Sequence, residues 1–140
     1  MSLNILFLCT GNSARSILAE VMVNQVVPVA GVTAYSAGSF PNGAVNPGAL
    51  AEIEARGYST QGLASKSWDA FTTPDAPSID WVITLCDNAA NEVCPIFPGP
   101  CTKSHWGLPD PATGDATFAD TFDNIQNKVE AFYRHLGLTH

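Results

Sequence analysis

The sequence predicts an α/β fold in which helices cover both faces of a parallel β-sheet. Three observations predict this class: short apolar runs bounded by turn residues, apolar residues at helical spacing between those runs, and connections long enough for right-handed crossovers. The chain has 140 residues, of which 46% are apolar and 14% charged. These values are typical of one compact soluble domain, which we expect to span residues 1–140.

The first half of the chain predicts two strands and two helices. Leu3–Leu8 is an apolar run with one polar residue, which is typical of a strand buried on both faces. After a polar turn, apolar residues recur at helical spacing up to about residue 27, where a proline and a glycine end the helix. Val32–Ala37 predicts a second strand. A loop rich in Gly, Pro and Asn follows, and a second helix begins at Pro47 and ends at Gly57.

The second half of the chain is less regular. The segment after the second helix predicts only one short helix, near residues 67–71. A third buried strand is expected at residues 79–85 and a short fourth strand at residues 103–108. The polar segment between them contains three prolines and predicts a single helical turn around residues 88–92. The last helix is predicted at Phe118–Leu136, with one apolar face and a glycine as its stop.

The charge balance excludes several classes of protein. Six Lys and Arg against thirteen Asp and Glu give a net charge of −7, whereas nucleic-acid binders carry basic patches. The apolar runs are too short for a membrane span or a signal peptide. We therefore expect a cytoplasmic protein, a monomer that binds neither nucleic acid nor membrane. Because an acidic chain repels anions, any anion site must be built locally.

The cysteine pattern argues against both disulfide staples and a metal centre. Four cysteines are too few for a disulfide-rich secreted scaffold. Cys86, Cys94 and Cys101 are separated by seven and six residues, whereas zinc ligands usually come in pairs with two to four residues between them. We expect no metal and no cofactor, and thiols that are either inert or reactive.

The segment CTGNSARS, residues 9–16, is the candidate site, and we call it the anion loop. It lies between a buried strand and a helix, where open parallel sheets bind ligands. A glycine permits an unusual backbone conformation there, so that consecutive N–H groups can surround one tetrahedral oxyanion, and an arginine adds a planar set of donors. The predicted anion-binding residues are Thr10, Gly11, Asn12, Ser13, Ala14 and Arg15.

The anion loop also predicts a nucleophile. A free cysteine is mostly protonated at neutral pH, and the N–H groups that bind an anion also favour the thiolate of Cys9. Ser16 is placed to donate a hydrogen bond to that sulfur, and Asn12 to pin the loop. The alternative is a buried strand-end thiol with an arginine nearby by chance, which leaves the Gly-Asn-Ser turn unexplained.

LFLCTGNSARSILAE resembles the signature of the low-molecular-weight protein tyrosine phosphatase family, and specifically its arsenate reductase branch. The segments YSAGS, NPGALAEIEARGY, VITLCDNA, CPIFPG and HWGLPDPA extend the resemblance over most of the chain. The resemblance implies a three-layer sandwich with a four-stranded parallel sheet in the order 2-1-3-4. It also implies that the bound oxyanion is arsenate or phosphate.

Two features favour the reductase branch over the phosphatases. The phosphatases place tyrosines after the Asp-Pro pair that carries the general acid, whereas Ala and Thr follow Asp110-Pro111 here. VITLCDNAANEVCP resembles the reductase segment that carries two redox thiols. The resemblance implies that Asp110, held between two prolines, protonates the departing oxygen of arsenate.

The resemblance further implies a relay of thiols. Reducing arsenate takes two electrons, which a second thiol supplies by attacking the sulfur bound to arsenic. In the implied strand order Cys86 follows the strand beside the first, so a Cys9–Cys86 bridge is geometrically reasonable. Cys94 would then resolve that bridge and leave a Cys86–Cys94 disulfide for a thioredoxin-like or glutaredoxin-like reductant. Cys101 is expected to be inert, or to replace Cys94 as the resolving thiol.

Some reductases of this family hold a potassium ion, and part of that site has counterparts here. Asn12, Glu20 and Ser36 match its positions, but the acidic residue that completes it does not line up. Lys66 lies nearby, and its ammonium is the alternative occupant. We therefore expect no metal at this position.

Three functions follow from these residues. The leading one is an arsenate reductase that serves arsenic detoxification. A phosphatase acting on phosphate monoesters needs Cys9, Arg15 and Asp110 but no second thiol. The third is a non-catalytic module that binds oxyanions or phosphopeptides, and it predicts binding without turnover.

Overall fold

The computed structural model describes residues 2–86, 101–108 and 117–139. Its strands are β1 (Leu3–Leu8), β2 (Val32–Ala37), β3 (Trp81–Thr84) and β4 (Thr102–His105). These four strands are all parallel and lie in the order β2-β1-β3-β4. The predicted α/β class and the strand order are therefore confirmed.

The first two strands have the predicted bounds, whereas β3 and β4 are shorter than predicted. Before β3, the Asp80 carboxylate accepts the main-chain N–H of Asn4 at 2.7 Å, and the N–H of Asp80 donates to the carbonyl of Asn4 at 2.9 Å. Regular pairing with β1 begins at the next residue, Trp81. Beyond β4, the N–H groups of Trp106 and Leu108 still bond to carbonyls at the end of β3. This extension continues the sheet edge without a regular ladder.

The helices of the described residues also follow the prediction, with one change of hydrogen-bond pattern. The first predicted helix is α-helical in its first part and continues as a π-helical turn. The turn predicted at residues 88–92 lies outside the described residues. The helical elements are α1 (Arg15–Val21), the π-helical turn (Met22–Val26), α2 (Pro47–Ala55), a 3-10 helix (Trp68–Phe71) and α3 (Phe118–Leu136).

Local chemistry fixes the ends of the longer helices. The side chain of Asn46 accepts the N–H of Gly48 at the start of α2, and that of Thr117 accepts the N–H of Asp120 at the start of α3. Gly137 ends α3 in the left-handed conformation with φ 73°. Of these three residues, Gly137 is the helix stop that the sequence predicts.

The π-helical turn closes the outer edge of β2. Asn24 in this turn donates its amide to the carbonyl of Ala34 and accepts the N–H of the same residue, both at 2.9 Å. Its side chain thus takes the place of a neighbouring strand, and an edge strand with paired groups resists association with other chains.

Both faces of the sheet are buried, which gives three layers. Ile5 and Phe7 of β1 face the layer formed by the three α-helices. Leu6 and Leu8 point the other way and pack with Phe71 of the 3-10 helix. Among the helices of the described ranges, none combines the length and the apolar character needed to cross a membrane.

Tyr133 supplies a prediction for stability at high pH. It is buried in α3, and its hydroxyl donates to the carbonyl of Val27 at 2.9 Å. Burial raises the pKa of Tyr133 from 10.0 to about 12. Between these values the unfolded chain loses a proton that the folded chain keeps. The free energy of unfolding should therefore fall as the pH rises through this range, by at most about 3 kcal/mol.

In Tyr133→Phe this alkaline decline in the free energy of unfolding should disappear. The lost hydrogen bond should lower the free energy of unfolding by about 1 kcal/mol at neutral pH. Urea unfolding at several pH values measures both effects. Tyr35→Phe serves as a control that keeps the buried phenol at position 133. An equal alkaline decline in Tyr133→Phe and the unaltered protein would rule this explanation out.

Candidate active site

The anion loop follows β1 and is held in a curled shape by the loop between β2 and α2. The main-chain N–H groups of Phe40, Asn42 and Asn46 donate to carbonyls of the anion loop at 2.8 to 2.9 Å. The accepting carbonyls belong to Thr10, Gly11 and Ser13. In a trans peptide the next N–H points away from the carbonyl. Each outward carbonyl therefore turns one N–H toward the inside of the loop.

Asn12 fixes the centre of the anion loop. It is fully buried and has φ 45°, a left-handed conformation that asparagine tolerates better than most residues. Its Oδ1 accepts the main-chain N–H of Lys66 at 2.8 Å, and its Nδ2 donates to Ser16 Oγ at 2.8 Å. The first bond orients the amide group, so that the second is a defined donor.

Ser16 connects the side chain of Asn12 to the sulfur of Cys9. Its Oγ lies 3.1 Å from Cys9 Sγ, and both side chains are buried. Because the hydroxyl oxygen already accepts a hydrogen from Asn12, its own proton is available to the sulfur. The predicted contact between Ser16 and Cys9 is thus present.

Gly38 packs directly against the anion loop from the end of β2. A Cβ atom at this position would overlap the carbonyl oxygen of Thr10 and lie 2.8 Å from that of Cys9. Both neighbours are main-chain atoms that cannot rotate away. A glycine is therefore required for the close approach of the two segments.

A cavity of about 390 Å³ opens above the anion loop. Arg15 lines it, and one of its Nη1 hydrogens is donated to the carbonyl of Leu108 at 2.8 Å. That bond ties the guanidinium to the segment that leads into residue 110. The other lining residues are Cys9, Thr10, Gly11, Ser13, Ala14, Phe40, Asn42, Asn46 and Cys86.

The structure brings a second thiol into the same cavity. Cys86 follows β3, the neighbour of β1, and contacts Cys9; both are free and buried, at 6% and 4% exposure. Thr10 Oγ1 lies 3.6 Å from Cys86 Sγ. Two cysteine side chains that form no disulfide with each other therefore line the same cavity.

Cys101 lies at the other end of the sheet. Cys101 precedes β4, whose first residue pairs with Trp81, whereas Cys86 lies two residues after the end of β3. Six residue positions therefore separate the two thiols along the strands, which corresponds to roughly 20 Å. A disulfide needs Cα atoms within about 6.8 Å. Cys101 packs against the apolar layer below the sheet, and this fold does not bring it to Cys86.

Two predicted site residues, Asp110 and Cys94, lie outside the described residues. Sequence reasoning did not identify the contact of Thr10 with Cys86 or the carbonyl of Leu108 as a partner of Arg15. The predicted strand order could have indicated both contacts, because it places the carboxyl ends of β1, β3 and β4 at one edge of the sheet. Within the described ranges, no group of three His, Cys, Asp or Glu side chains is close enough to hold a metal ion.

Replacing Ser16 by Ala tests the hydrogen bond to Cys9. The variant removes the hydroxyl that faces Cys9 at 3.1 Å. Since a hydrogen bond to a charged group contributes about 1.5 to 3 kcal/mol, alkylation of Cys9 by iodoacetamide at neutral pH should slow at least about tenfold. Mass spectrometry identifies the modified cysteine. Ser59→Ala, at an exposed position, is the matched control, and equal rates in all three proteins would disprove the role of Ser16.

The fold and site define a class: α/β proteins with a buried cysteine in a curled loop between the first strand and the first helix. The family model for low molecular weight phosphotyrosine protein phosphatase matches residues 4–139. The chain belongs to this family. This agrees with the resemblance seen in the anion loop.

Several proteins that are similar to this chain in sequence or in structure are arsenate reductases. The arsenate reductase of Staphylococcus aureus is 37% identical over 129 residues, which cover 91% of this chain and 94% of that protein. A solved arsenate reductase in the phosphate binding state has a TM-score of 0.70 and 25% identity, and covers 95% of this chain and 98% of its own. The thioredoxin-dependent arsenate reductase of Corynebacterium glutamicum has a TM-score of 0.73 and 21% identity, which shows the shared fold. That alignment covers 97% of this chain and 62% of the longer protein.

Proposed function

We propose that this protein reduces arsenate to arsenite, for arsenic detoxification. The observation that carries the proposal is the contact between two reduced thiols, Cys9 and Cys86, inside one oxyanion cavity. A phosphatase needs only the first of them. The similarity to the arsenate reductase of Staphylococcus aureus supports the same activity.

In the first step Cys9 is the nucleophile. Its thiolate attacks arsenic, a sulfur–arsenic bond forms, and one arsenate oxygen leaves as water after protonation. Inward N–H groups of the anion loop and the guanidinium of Arg15 stabilise the charge on the remaining oxygens. Asp110 is proposed as the acid that protonates the leaving oxygen.

In the second step Cys86 reduces arsenic. Its sulfur attacks Cys9 Sγ, a disulfide forms and the sulfur–arsenic bond breaks. The bonding pair stays with arsenic, which passes from arsenic(V) to arsenic(III), and arsenite leaves. The hydroxyl of Thr10, 3.6 Å from Cys86 Sγ, is placed to orient this second thiol.

Regeneration needs a third thiol and an external reductant. We propose that Cys94 attacks Cys86 and frees Cys9, and that a thioredoxin-like or glutaredoxin-like protein reduces the resulting Cys86–Cys94 disulfide. A reducing compartment such as the cytoplasm suits this cycle. The distance of Cys101 from Cys86 makes Cys94 the better candidate for the resolving thiol.

Hydrolysis of phosphate monoesters is the second candidate, because the matching family model is that of a phosphotyrosine phosphatase. Cys9, Arg15 and the anion loop would serve that reaction unchanged, with water as the second nucleophile. Phosphatase activity can therefore accompany the reductase activity. It leaves Cys86 without a role.

Assays of the unaltered protein separate the candidate functions. We expect arsenite release over many turnovers when a thioredoxin-like protein and its electron source are supplied, with slower hydrolysis of an aryl phosphate. Hydrolysis without arsenate reduction would assign the protein to the phosphatases. Tight binding of inorganic phosphate without either turnover would leave a binding module.

A further inference from the structure

Glu20 is a largely buried carboxylate directly behind the anion loop. It lies one turn after Ser16 in α1, and its side chain is 17% exposed. Ser36 Oγ donates to its Oε1 at 2.6 Å, and Lys66 Nζ lies 3.9 Å from the same oxygen. Burial raises the pKa of Glu20, while the hydrogen bond from Ser36 and the charge of Lys66 oppose that rise. A carboxylate in this position needs positive charge nearby.

Lys66 contacts this carboxylate and the anion loop at once. Its main-chain N–H donates to Asn12 Oδ1 at 2.8 Å, and its carbonyl accepts the N–H of Gly38 at 2.9 Å. Its ammonium donates to the carbonyl of Ala64 at 3.1 Å. The main chain of Lys66 thus supports the two residues that shape the loop, and its charged end lies beside Glu20.

The surroundings of the ammonium are those of a small cation site. A carboxylate oxygen and a main-chain carbonyl face it, which are oxygen ligands suited to a hard cation. The polar atoms that the family resemblance matches to a potassium site already have partners: Asn12 Oδ1 accepts a main-chain N–H, and Glu20 contacts Ser36 and Lys66. An added potassium ion would be repelled by the ammonium. The residues therefore do not fit a bound potassium.

We propose that the Lys66 ammonium is the resident cation of this site and acts as a positioning residue for the anion loop. By balancing Glu20 it keeps its own main chain against Asn12 and Gly38. The protein then needs no alkali-metal ion to bind oxyanions. This proposal does not depend on which reaction the site catalyses, because it concerns binding and stability.

Lys66→Gln tests the proposal, because it removes the charge and keeps the main-chain hydrogen bonds. Affinity for inorganic phosphate and the temperature of unfolding are measured in potassium, sodium and choline chloride at constant chloride. The unaltered protein should give equal values in all three salts. In choline, the variant should bind phosphate about fivefold more weakly, the effect expected for losing a partly exposed ion pair. Potassium should restore most of this affinity.

Two further variants make the test specific. Lys66→Arg keeps the charge and should stay independent of the salt. Lys128→Gln makes the same charge change on the exposed face of α3 and should behave like the unaltered protein. A potassium requirement in the unaltered protein would overturn the proposal. So would unchanged phosphate affinity in Lys66→Gln, or a weakened affinity that no alkali-metal ion restores.

Discussion

Replacing Cys86 by Ser is expected to abolish multiple-turnover reduction of arsenate while leaving aryl phosphate hydrolysis within about twofold of its original rate. Cys86 contacts Cys9 in the anion cavity, whereas Cys101 lies at the far end of the sheet. A serine hydroxyl cannot form the disulfide with Cys9 that would leave the bonding electron pair on arsenic. The arsenic adduct on Cys9 would therefore persist and block further turnovers.

The measurement is arsenite release with a thioredoxin-like reductant and no small thiol, since small thiols can attack the adduct directly. Cys101→Ser is the matched control and should reduce arsenate at the original rate, because Cys101 is remote from the site. Reduction at an undiminished rate in Cys86→Ser would show that the redox role of Cys86 is wrong. Loss of both reactions would indicate damage to the anion loop instead.

Replacing Cys9 by Ser should remove both arsenate reduction and phosphate ester hydrolysis, by at least about 10⁴-fold each. In the proposed mechanisms both reactions begin with attack by this sulfur, and serine at this position has no base within the described contacts to activate it. The variant should nevertheless bind inorganic phosphate, because the inward N–H groups and Arg15 remain in place. Calorimetric titration with phosphate and the two activity assays measure the two effects separately.

This combination also tests the binding-module hypothesis. If the unaltered protein shows no turnover and binds phosphate as tightly as Cys9→Ser, the site is a receptor and not an enzyme. If Cys9→Ser hydrolyses esters at the original rate, another residue is the nucleophile. Thermal unfolding of the variant confirms that a loss of activity does not reflect a loss of fold.

Elements with a strong local signal could be predicted from the sequence. β1, β2 and α3 have the predicted bounds. In each of them the apolar residues keep the spacing of one type of element until a turn residue or a glycine ends it. β3 is shorter than predicted, and at its start the N–H of Asn4 bonds to the side chain of Asp80 and not to a main-chain carbonyl. The spacing of apolar residues gives no information about that contact.

The same limit applies to the candidate site. Cys9, Ser16 and Asn12 could be predicted, because they lie within one short segment and their contacts follow from its curl. The partners of that segment come from distant parts of the chain. The main chain of Lys66 and the carbonyl of Leu108 contribute atoms that every residue type possesses, so their identity carries no signal.

A single turnover of the Cys94→Ser variant with arsenate and no reductant tests whether Cys86 releases arsenite by forming a disulfide with Cys9. We expect one equivalent of arsenite per protein and a disulfide between Cys9 and Cys86, located by mass spectrometry of the digested protein. Arsenite release without that disulfide, or a disulfide that includes Cys101, would show that Cys86 does not have this role.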